Sequence, residues 1–256
     1  MSGAVAPGAP DPRIRPGRAV ADMFSAIAST YDFLNHLLSL NVDRRWRRIT
    51  VSALAPCPGD RVLDLCTGTG DLAFSLMGLS GARVVGADFS AGMLAVARRK
   101  AKDRGLPLPL VRADALALPF SDGCFEGAMV AFGVRNFEDL DAGLREMARV
   151  LKPGGRLAIL EFSSPDRSFF GALYRLYFCR VLPRVGRLVS GADGPYSYLP
   201  ATVEEFPTPQ ALVRRFAAQG LQVLAQRPLT GGIATLHLME KRMGSAGAPP
   251  SGRMTS

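Results

Sequence analysis

Three aspartates, each close to the end of a short apolar segment, are the residues of this chain with the clearest potential for binding a ligand. Asp64 precedes a loop that contains Gly68 and Gly70, and Asp88 and Asp114 end the next two apolar segments. Glycine allows a ligand to approach the backbone closely, and a carboxylate at the position of Asp88 can accept hydrogen bonds from both hydroxyls of a ribose. The pattern therefore predicts a site for a nucleotide-like ligand.

Two ligand classes are consistent with this loop. Its Gly-x-Gly-x-x-Ala spacing also occurs in dinucleotide-binding proteins. However, Asp64 and Asp71 would place negative charge where a pyrophosphate would bind, and such repulsion is costly. Asp64 instead suits the ammonium group of S-adenosyl-L-methionine, and Asp114 can accept a hydrogen bond from the adenine amino group. We therefore predict that this sulfonium nucleoside is the cofactor. A nicotinamide dinucleotide, or acids that merely cap turns, are the alternatives.

Strands that alternate with helices must position these residues. Short apolar segments that alternate with helical ones are typical of βαβ units and hence of an α/β fold with a mostly parallel sheet. A pair of strands around Gly231 and Gly232 predicts an antiparallel hairpin at the end of the sheet, which makes seven strands. The predicted strands are 61–65, 82–88, 108–114, 125–132, 156–162, 221–227 and 233–240, and the predicted helices are 71–79, 92–104 and 139–151.

The remaining segments predict a single domain with two additions and two tails. Residues 19–242 form the domain, in which residues 19–55 read as a helical cover and residues 164–216 as an inserted helical lid. The lid contains aromatic residues and arginines at helical spacing. This pattern is typical either of a helix that packs on the sheet with a solvated basic face or of an apolar cover that contacts anionic lipid. Residues 1–18 and 243–256 are rich in glycine, proline, serine and alanine, and so predict disordered tails.

The composition excludes several classes of function. The chain has 256 residues, 48% of them hydrophobic, yet no apolar run long enough to span a membrane. Its net charge of +9 comes from arginines spread along the sequence, which argues against a nucleic-acid site. The four cysteines form no C-x-x-C pair and there are two histidines, so no metal site is expected. We predict a cytoplasmic protein, and leave open its contact with the inner face of a membrane and its assembly as a homodimer.

Two segments resemble the ubiquinone/menaquinone-biosynthesis C-methyltransferases, a family with the class I, Rossmann-like methyltransferase fold. Residues 149–163 match the C-terminal signature of the family. Residues 31–46 keep the spacing of its N-terminal signature, but have Leu34 where the family usually has methionine and Asp43 where it usually has histidine. The resemblance extends over residues 21–242 and implies that S-adenosyl-L-methionine is bound by Thr69, Asp88, Asp114 and Ala115.

The resemblance also implies a reaction. Members methylate a ring carbon of a prenylated quinol, either 2-demethylmenaquinol or a methoxy-benzoquinol, and the menaquinone reaction is the one predicted here. A small-molecule O- or N-methyltransferase and a non-catalytic cofactor-binding subunit are the alternatives. The ring carbon reacts only after a neighbouring hydroxyl loses its proton. We expect Arg135 to stabilise the phenolate and Asn136 to orient the ring or a water, with Tyr31 and Asp32 as candidates for proton removal. Ordinary turn, packing and capping roles remain open for Arg135, Tyr31 and Asp32.

Overall fold

The computed structural model of the protein describes residues 17–28, 31–32, 39, 41–163, 202–203 and 205–243. Almost all of the two predicted tails lies outside the described residues. So does most of the predicted lid, because residues 164–201 and 204 are not described. The first helix begins at Gly17, inside the segment that the sequence predicts to be a tail.

Within the described residues, helices precede the sheet and further helices alternate with its strands. In chain order the elements are α1 (Gly17–Ile27), α2 (Val42–Leu54), β1 (Arg61–Leu65), α3 (Asp71–Ser80), β2 (Arg83–Asp88), α4 (Ala91–Arg104), β3 (Leu110–Arg112), β4 (Phe125–Ala131), α5 (Leu140–Val150), β5 (Leu151–Phe162), α6 (Pro209–Ala218), β6 (Leu221–Leu229) and β7 (Ala234–Lys241). A 3₁₀ turn, Val134–Asn136, lies between β4 and α5. Among the described helices, none combines the length and the apolar character needed to cross a bilayer.

The seven strands form one sheet in the order β3-β2-β1-β4-β5-β7-β6. Strands β1 to β5 are parallel to one another, whereas β7 is antiparallel to both β5 and β6. This confirms the predicted α/β fold with a mostly parallel, seven-stranded sheet and a terminal antiparallel pair. The strand order places the carboxyl ends of β1, β2, β3 and β4 along one edge of the sheet.

The start of β5 differs from the prediction. The sequence from Lys152 to Gly155 predicts a turn before a strand at 156–162, whereas β5 begins at Leu151, directly after α5. The pairing of β5 with β4 shifts register between Phe125 and Gly127. This irregularity accommodates Pro153, because proline has no N–H to donate to a regular ladder.

Apolar side chains cover both faces of the sheet. On β1, Leu63 and Leu65 belong to the core on the α5 side, whereas Val62 belongs to the core formed with α2 and α3. A strand that is buried on both faces is apolar at nearly every position. Asp64 departs from this pattern, since it is a carboxylate with only 1% of its surface exposed. A buried charge of this kind points to a functional site at the end of β1.

Candidate functional site

A cavity of about 310 Å³ lies at the carboxyl edge of the sheet. Its wall consists of residues from the loops after β1, β2, β3 and β4, together with one side of α1. This volume lies in the range of small-molecule sites, which is roughly 300–1,000 Å³. The location is also the usual one for ligands of open α/β sheets.

The structure divides the predicted site residues into two groups. Those that line the cavity are Tyr31, Gly68, Asp88, Asp114, Ala115 and Asn136. Those that do not line it are Asp32, Asp64, Thr69, Gly70 and Arg135. Each member of the second group lies within four residues of a member of the first in the sequence.

The loop after β1 folds tightly against the end of β2. Gly68 and Gly70 have φ angles of 56° and 89°, which glycine adopts without strain. The Gly68 N–H donates to Asp88 Oδ2 at 2.8 Å, and the Thr67 N–H donates to the Ala87 carbonyl at 3.0 Å. A Cβ added to Gly133, which follows β4, would lie 2.5 Å from the Cβ of Cys66. The loops after β1 and β4 therefore approach so closely that only glycine fits at position 133.

Asp88 is held by backbone donors on both sides. Its Oδ2 accepts from the Gly68 N–H and its Oδ1 accepts from the Ser90 N–H, both at 2.8 Å. Burial raises the pKa of this carboxyl, and the backbone hydrogen bonds act in the opposite direction. Each oxygen retains a lone pair for a further donor, which is the arrangement that two ribose hydroxyls require.

Asp114 and its neighbours form the part of the wall next to β3. The Asp114 Oδ1 accepts from the Leu116 N–H at 2.9 Å, which makes a tight turn after the strand. This turn brings Ala115 and Leu116 into the cavity wall together with Asp114. An apolar surface beside one carboxylate suits the face and the amino group of an adenine ring.

Asp64 contains an orphaned polar atom. Its Oδ2 accepts from the Thr67 hydroxyl at 2.6 Å, whereas Oδ1 has no hydrogen-bond partner within the described residues. Burial raises the pKa of Asp64 from 3.8 to about 7, although the Thr67 hydrogen bond and the charge of Arg47 lower it. A buried, incompletely bonded carboxylate beside the glycine loop fits the ammonium end of S-adenosyl-L-methionine, so the residues present are compatible with that cofactor.

The raised pKa makes Asp64 a source of instability in the ligand-free protein at neutral pH. Because the folded state holds this proton more tightly than the unfolded state, the stability associated with it is complete below pH 3.8 and is lost as the pH rises through 7. We expect Asp64→Asn to raise the free energy of unfolding by as much as about 4 kcal/mol at pH 8 and to have little effect at pH 4. Urea unfolding at both pH values measures this. The exposed Asp103→Asn is the control, and equal gains at both pH values would contradict the prediction.

A network of charges joins the segment around residue 32 to the glycine loop. The Lys100 ammonium forms ion pairs with Asp32, at 2.7 Å, and with Asp71. The Thr69 hydroxyl also donates to Asp32. The charge of Asp71, which the sequence placed beside the ligand, is thus paired with a lysine. The carboxylate of Asp32 is also paired with Lys100. Of the two candidates for proton removal, Tyr31 therefore lines the cavity and Asp32 does not.

Arg135 lies in the protein interior. Its Nη1 donates to Glu161 Oε1 at 2.7 Å and to the Phe132 carbonyl at 2.6 Å, and the side chains of Arg135 and Glu161 are 4% and 1% exposed. The Arg135 N–H also donates to Glu161, at 3.3 Å. The geometry therefore differs from the expectation that this guanidinium faces the substrate directly, because a buried charge must be paired. Asn136, the next residue, lines the cavity.

Sequence reasoning placed residues 19–55 in a helical cover but named no site residue on α1, whose first two residues fall in the predicted tail. The cavity-lining residues of this helix include Val20, Ala21 and Phe24. Their i, i+1, i+4 spacing is typical of one helix face and could have predicted it. The helix is held against α4, since Ser25 and Ser90 share a hydrogen bond of 2.7 Å between their hydroxyls. Ser90 also caps α4 by accepting from the Met93 N–H.

Comparison with known proteins places these features in a family. Residues 14–241 match the ubiE/COQ5 methyltransferase family. The demethylmenaquinone methyltransferase of Thermus thermophilus is 53% identical over 86% of this chain and its own full length. That of Deinococcus radiodurans is 49% identical over 88% of this chain and 94% of its own. The ubiquinone/menaquinone biosynthesis C-methyltransferase UbiE of Geobacter sulfurreducens is 46% identical over 88% of this chain and 89% of its own.

Solved structures share the fold at lower identity. The [4+2]-cyclase SpnF superposes with a TM-score of 0.69 at 17% identity, over 93% of this chain and 98% of its own. A SAM-dependent methyltransferase from Aquifex aeolicus superposes with a TM-score of 0.57 at 18% identity, over 76% and 89% of the two chains. These likenesses concern the fold alone. The family match, by contrast, extends over nearly all of the described residues, and the chain therefore belongs to the ubiE/COQ5 methyltransferase family, whose members are methyltransferases that use S-adenosyl-L-methionine.

Proposed function

We propose that this protein methylates a ring carbon of 2-demethylmenaquinol and so produces menaquinol. The observation that carries the proposal is the 53% and 49% identity to two proteins named demethylmenaquinone methyltransferase, over 100% and 94% of their lengths. A benzoquinol of the ubiquinone route is the second candidate, because the relative from Geobacter sulfurreducens bears both quinone names.

The cofactor residues that we propose lie in the wall of the cavity or directly behind it, and each has its own role. Asp88 accepts the ribose hydroxyls, Asp114 and Ala115 contact the adenine, and Asp64 faces the ammonium group. Because Gly68 and Gly70 have no side chains, the loop leaves room for the methionine portion of the cofactor. Thr69 contributes indirectly, because its hydroxyl donates a hydrogen bond to Asp32. When bound, the cofactor supplies a methyl group that is electrophilic because it is attached to a sulfonium.

The chain must then prepare the quinol carbon. A ring carbon becomes nucleophilic when the adjacent hydroxyl loses its proton, so groups near the cavity must favour the phenolate and orient the ring. We propose that Asn136 contacts the ring oxygen and that Arg135 positions Asn136 through its bonds to Glu161 and the Phe132 carbonyl. Tyr31 lines the same cavity and is our candidate to relay the proton: its hydroxyl oxygen accepts the quinol proton while its own proton passes to water. Asp32, paired with Lys100, fixes the segment that carries Tyr31.

We also propose that the protein works at the inner face of a membrane, since a prenylated quinol partitions into lipid. The net charge of +9 favours an anionic lipid surface. The protein should co-sediment with vesicles that contain phosphatidylglycerol at low salt and remain in the supernatant at high salt. Homodimerisation, which the sequence left open, is measured by light scattering of the same preparation.

The substrate assignment is tested with two quinols that have the same prenyl tail. Purified protein with S-adenosyl-L-methionine should convert the demethylated naphthoquinol, detected by a mass gain of one methylene, and should leave the demethylated benzoquinol largely unchanged. Expression in a bacterium that lacks its own enzyme should restore menaquinone, whereas ubiquinone should remain depleted. Conversion of the benzoquinol alone would favour the second candidate. Conversion of neither quinol would contradict both.

A further inference from the structure

Arg47 is a partly buried cation for which the site described above has no role. It lies on the face of α2 that packs on the sheet, near Asp43, and its side chain is 13% exposed. The Nε atom is 3.5 Å from Asp43 Oδ2. Within the described residues, however, this atom has no hydrogen-bond partner. A buried guanidinium with an unsatisfied donor is unfavourable, and the cost is offset if an anionic ligand accepts from it.

The position of Arg47 relates it to the cofactor cavity. Helix α2 packs on β5 and α3, and its first half lies towards the carboxyl edge of the sheet. The guanidinium carbon of Arg47 is 6.0 Å from the ring centroid of Phe132, a residue that lines the cavity directly after β4. Arg47 is therefore adjacent to the point where the loops after β1 and β4 converge.

Arg47 also lies close to Asp64. Its positive charge stabilises the ionised Asp64 carboxyl and partly offsets the effect of burial on the pKa of that group. Within the described residues, the ion pair of Arg47 is with Asp43, so Asp64 keeps its unbonded oxygen. The same edge of the sheet thus contains a guanidinium whose Nε has no hydrogen-bond partner and a carboxyl whose Oδ1 has none, within the described residues.

We infer that Arg47 binds the α-carboxylate of the methionine portion of the cofactor, while Asp64 binds its α-ammonium. An amino-acid end carries both charges on one carbon, and recognition of both requires neighbouring groups of opposite charge. The planar guanidinium also matches the geometry of a carboxylate better than an ammonium does. The inference rests on the cofactor site proposed above and adds a binding residue to it.

Ligands that lack parts of the amino-acid end test this assignment directly. Isothermal titration measures the dissociation constants of S-adenosyl-L-methionine, decarboxylated S-adenosylmethionine and 5′-methylthioadenosine. Each ligand is titrated into the wild type and into Arg47→Gln. We expect Arg47→Gln to weaken binding of S-adenosyl-L-methionine about 10- to 100-fold, as for one charged hydrogen bond. The affinities for the decarboxylated ligand and for 5′-methylthioadenosine should not change. The exposed neighbour Arg48, replaced by glutamine, is the matched control and should bind all three ligands as wild type does.

Other outcomes separate this inference from the proposed site itself. Equal losses for S-adenosyl-L-methionine and its decarboxylated form, or no loss for either, would overturn the role of Arg47. Binding of 5′-methylthioadenosine by Arg47→Gln shows that the site is folded. If that binding is lost, the same titrations are made with Arg47→Lys. Weaker binding of S-adenosyl-L-methionine, with unchanged binding of the other two ligands, supports the inference. Any other result overturns it. Failure of the wild type to bind S-adenosyl-L-methionine would instead contradict the cofactor site.

Discussion

Replacement of Glu161 by glutamine is expected to lower the free energy of unfolding by about 3–5 kcal/mol, because it removes a buried carboxylate that is paired with the buried guanidinium of Arg135. Both side chains are almost fully buried, so water cannot replace the lost carboxylate. Urea unfolding at pH 7, followed by circular dichroism, measures the change. The exposed pair between Arg156 and Glu240, at 3.8 Å, provides the control. Glu240→Gln should alter stability by less than about 1 kcal/mol.

A double replacement separates stability from activity at the same pair. Exchange of both Arg135 and Glu161 for methionine removes both charges together, and such exchanges are often neutral for stability. We expect this variant to unfold nearly as the wild type does. Its turnover should remain reduced on the order of a hundredfold, as after loss of one donor in an active site. The reason is that Arg135 holds the Phe132 carbonyl and thereby the turn that presents Asn136. Turnover that recovers together with stability would show that the pair is only structural.

Asp88→Asn is expected to weaken binding of S-adenosylhomocysteine by at least about 100-fold, the equivalent of two charged hydrogen bonds. Both oxygens of Asp88 accept from backbone N–H groups, of Gly68 and Ser90. An amide would have to turn its NH₂ group towards one of these donors, so the substitution disturbs the loop as well as the ribose contacts. Isothermal titration measures the dissociation constant.

A matched control for Asp88→Asn is available on α5. Asp139 caps this helix by accepting from the Ala142 N–H, and it is exposed. Asparagine is an equally good cap, so Asp139→Asn should leave both stability and affinity unchanged. An unchanged dissociation constant for Asp88→Asn would mean that the end of β2 does not bind the ribose.

The sequence by itself determined the strands, their parallel arrangement and the edge of the sheet at which the cavity lies. Apolar segments that alternate with helical ones predict βαβ units, and parallel strands end at a common edge, so Asp64, Asp88 and Asp114 had to lie near one another. The same local reasoning identified Gly68 and Gly70 as loop residues, because glycine preferences depend on the backbone of the residue itself. The motifs at 31–46 and 149–163 indicated the family for a related reason, since they can be read without knowledge of contacts.

Only the tertiary structure decided which charges are paired and which face the cavity. Arg135 and Glu161 are 26 residues apart, and Lys100 and Asp32 are 68 residues apart. A local sequence pattern therefore predicts neither pair. The same holds for the approach of Arg47 to the end of β1, for the insertion of β7 between β5 and β6, and for α1 as a wall of the cavity. These features depend on how helices pack across the sheet. The free energy of a buried charge depends on its neighbours in space, and for these residues the neighbours are distant in sequence.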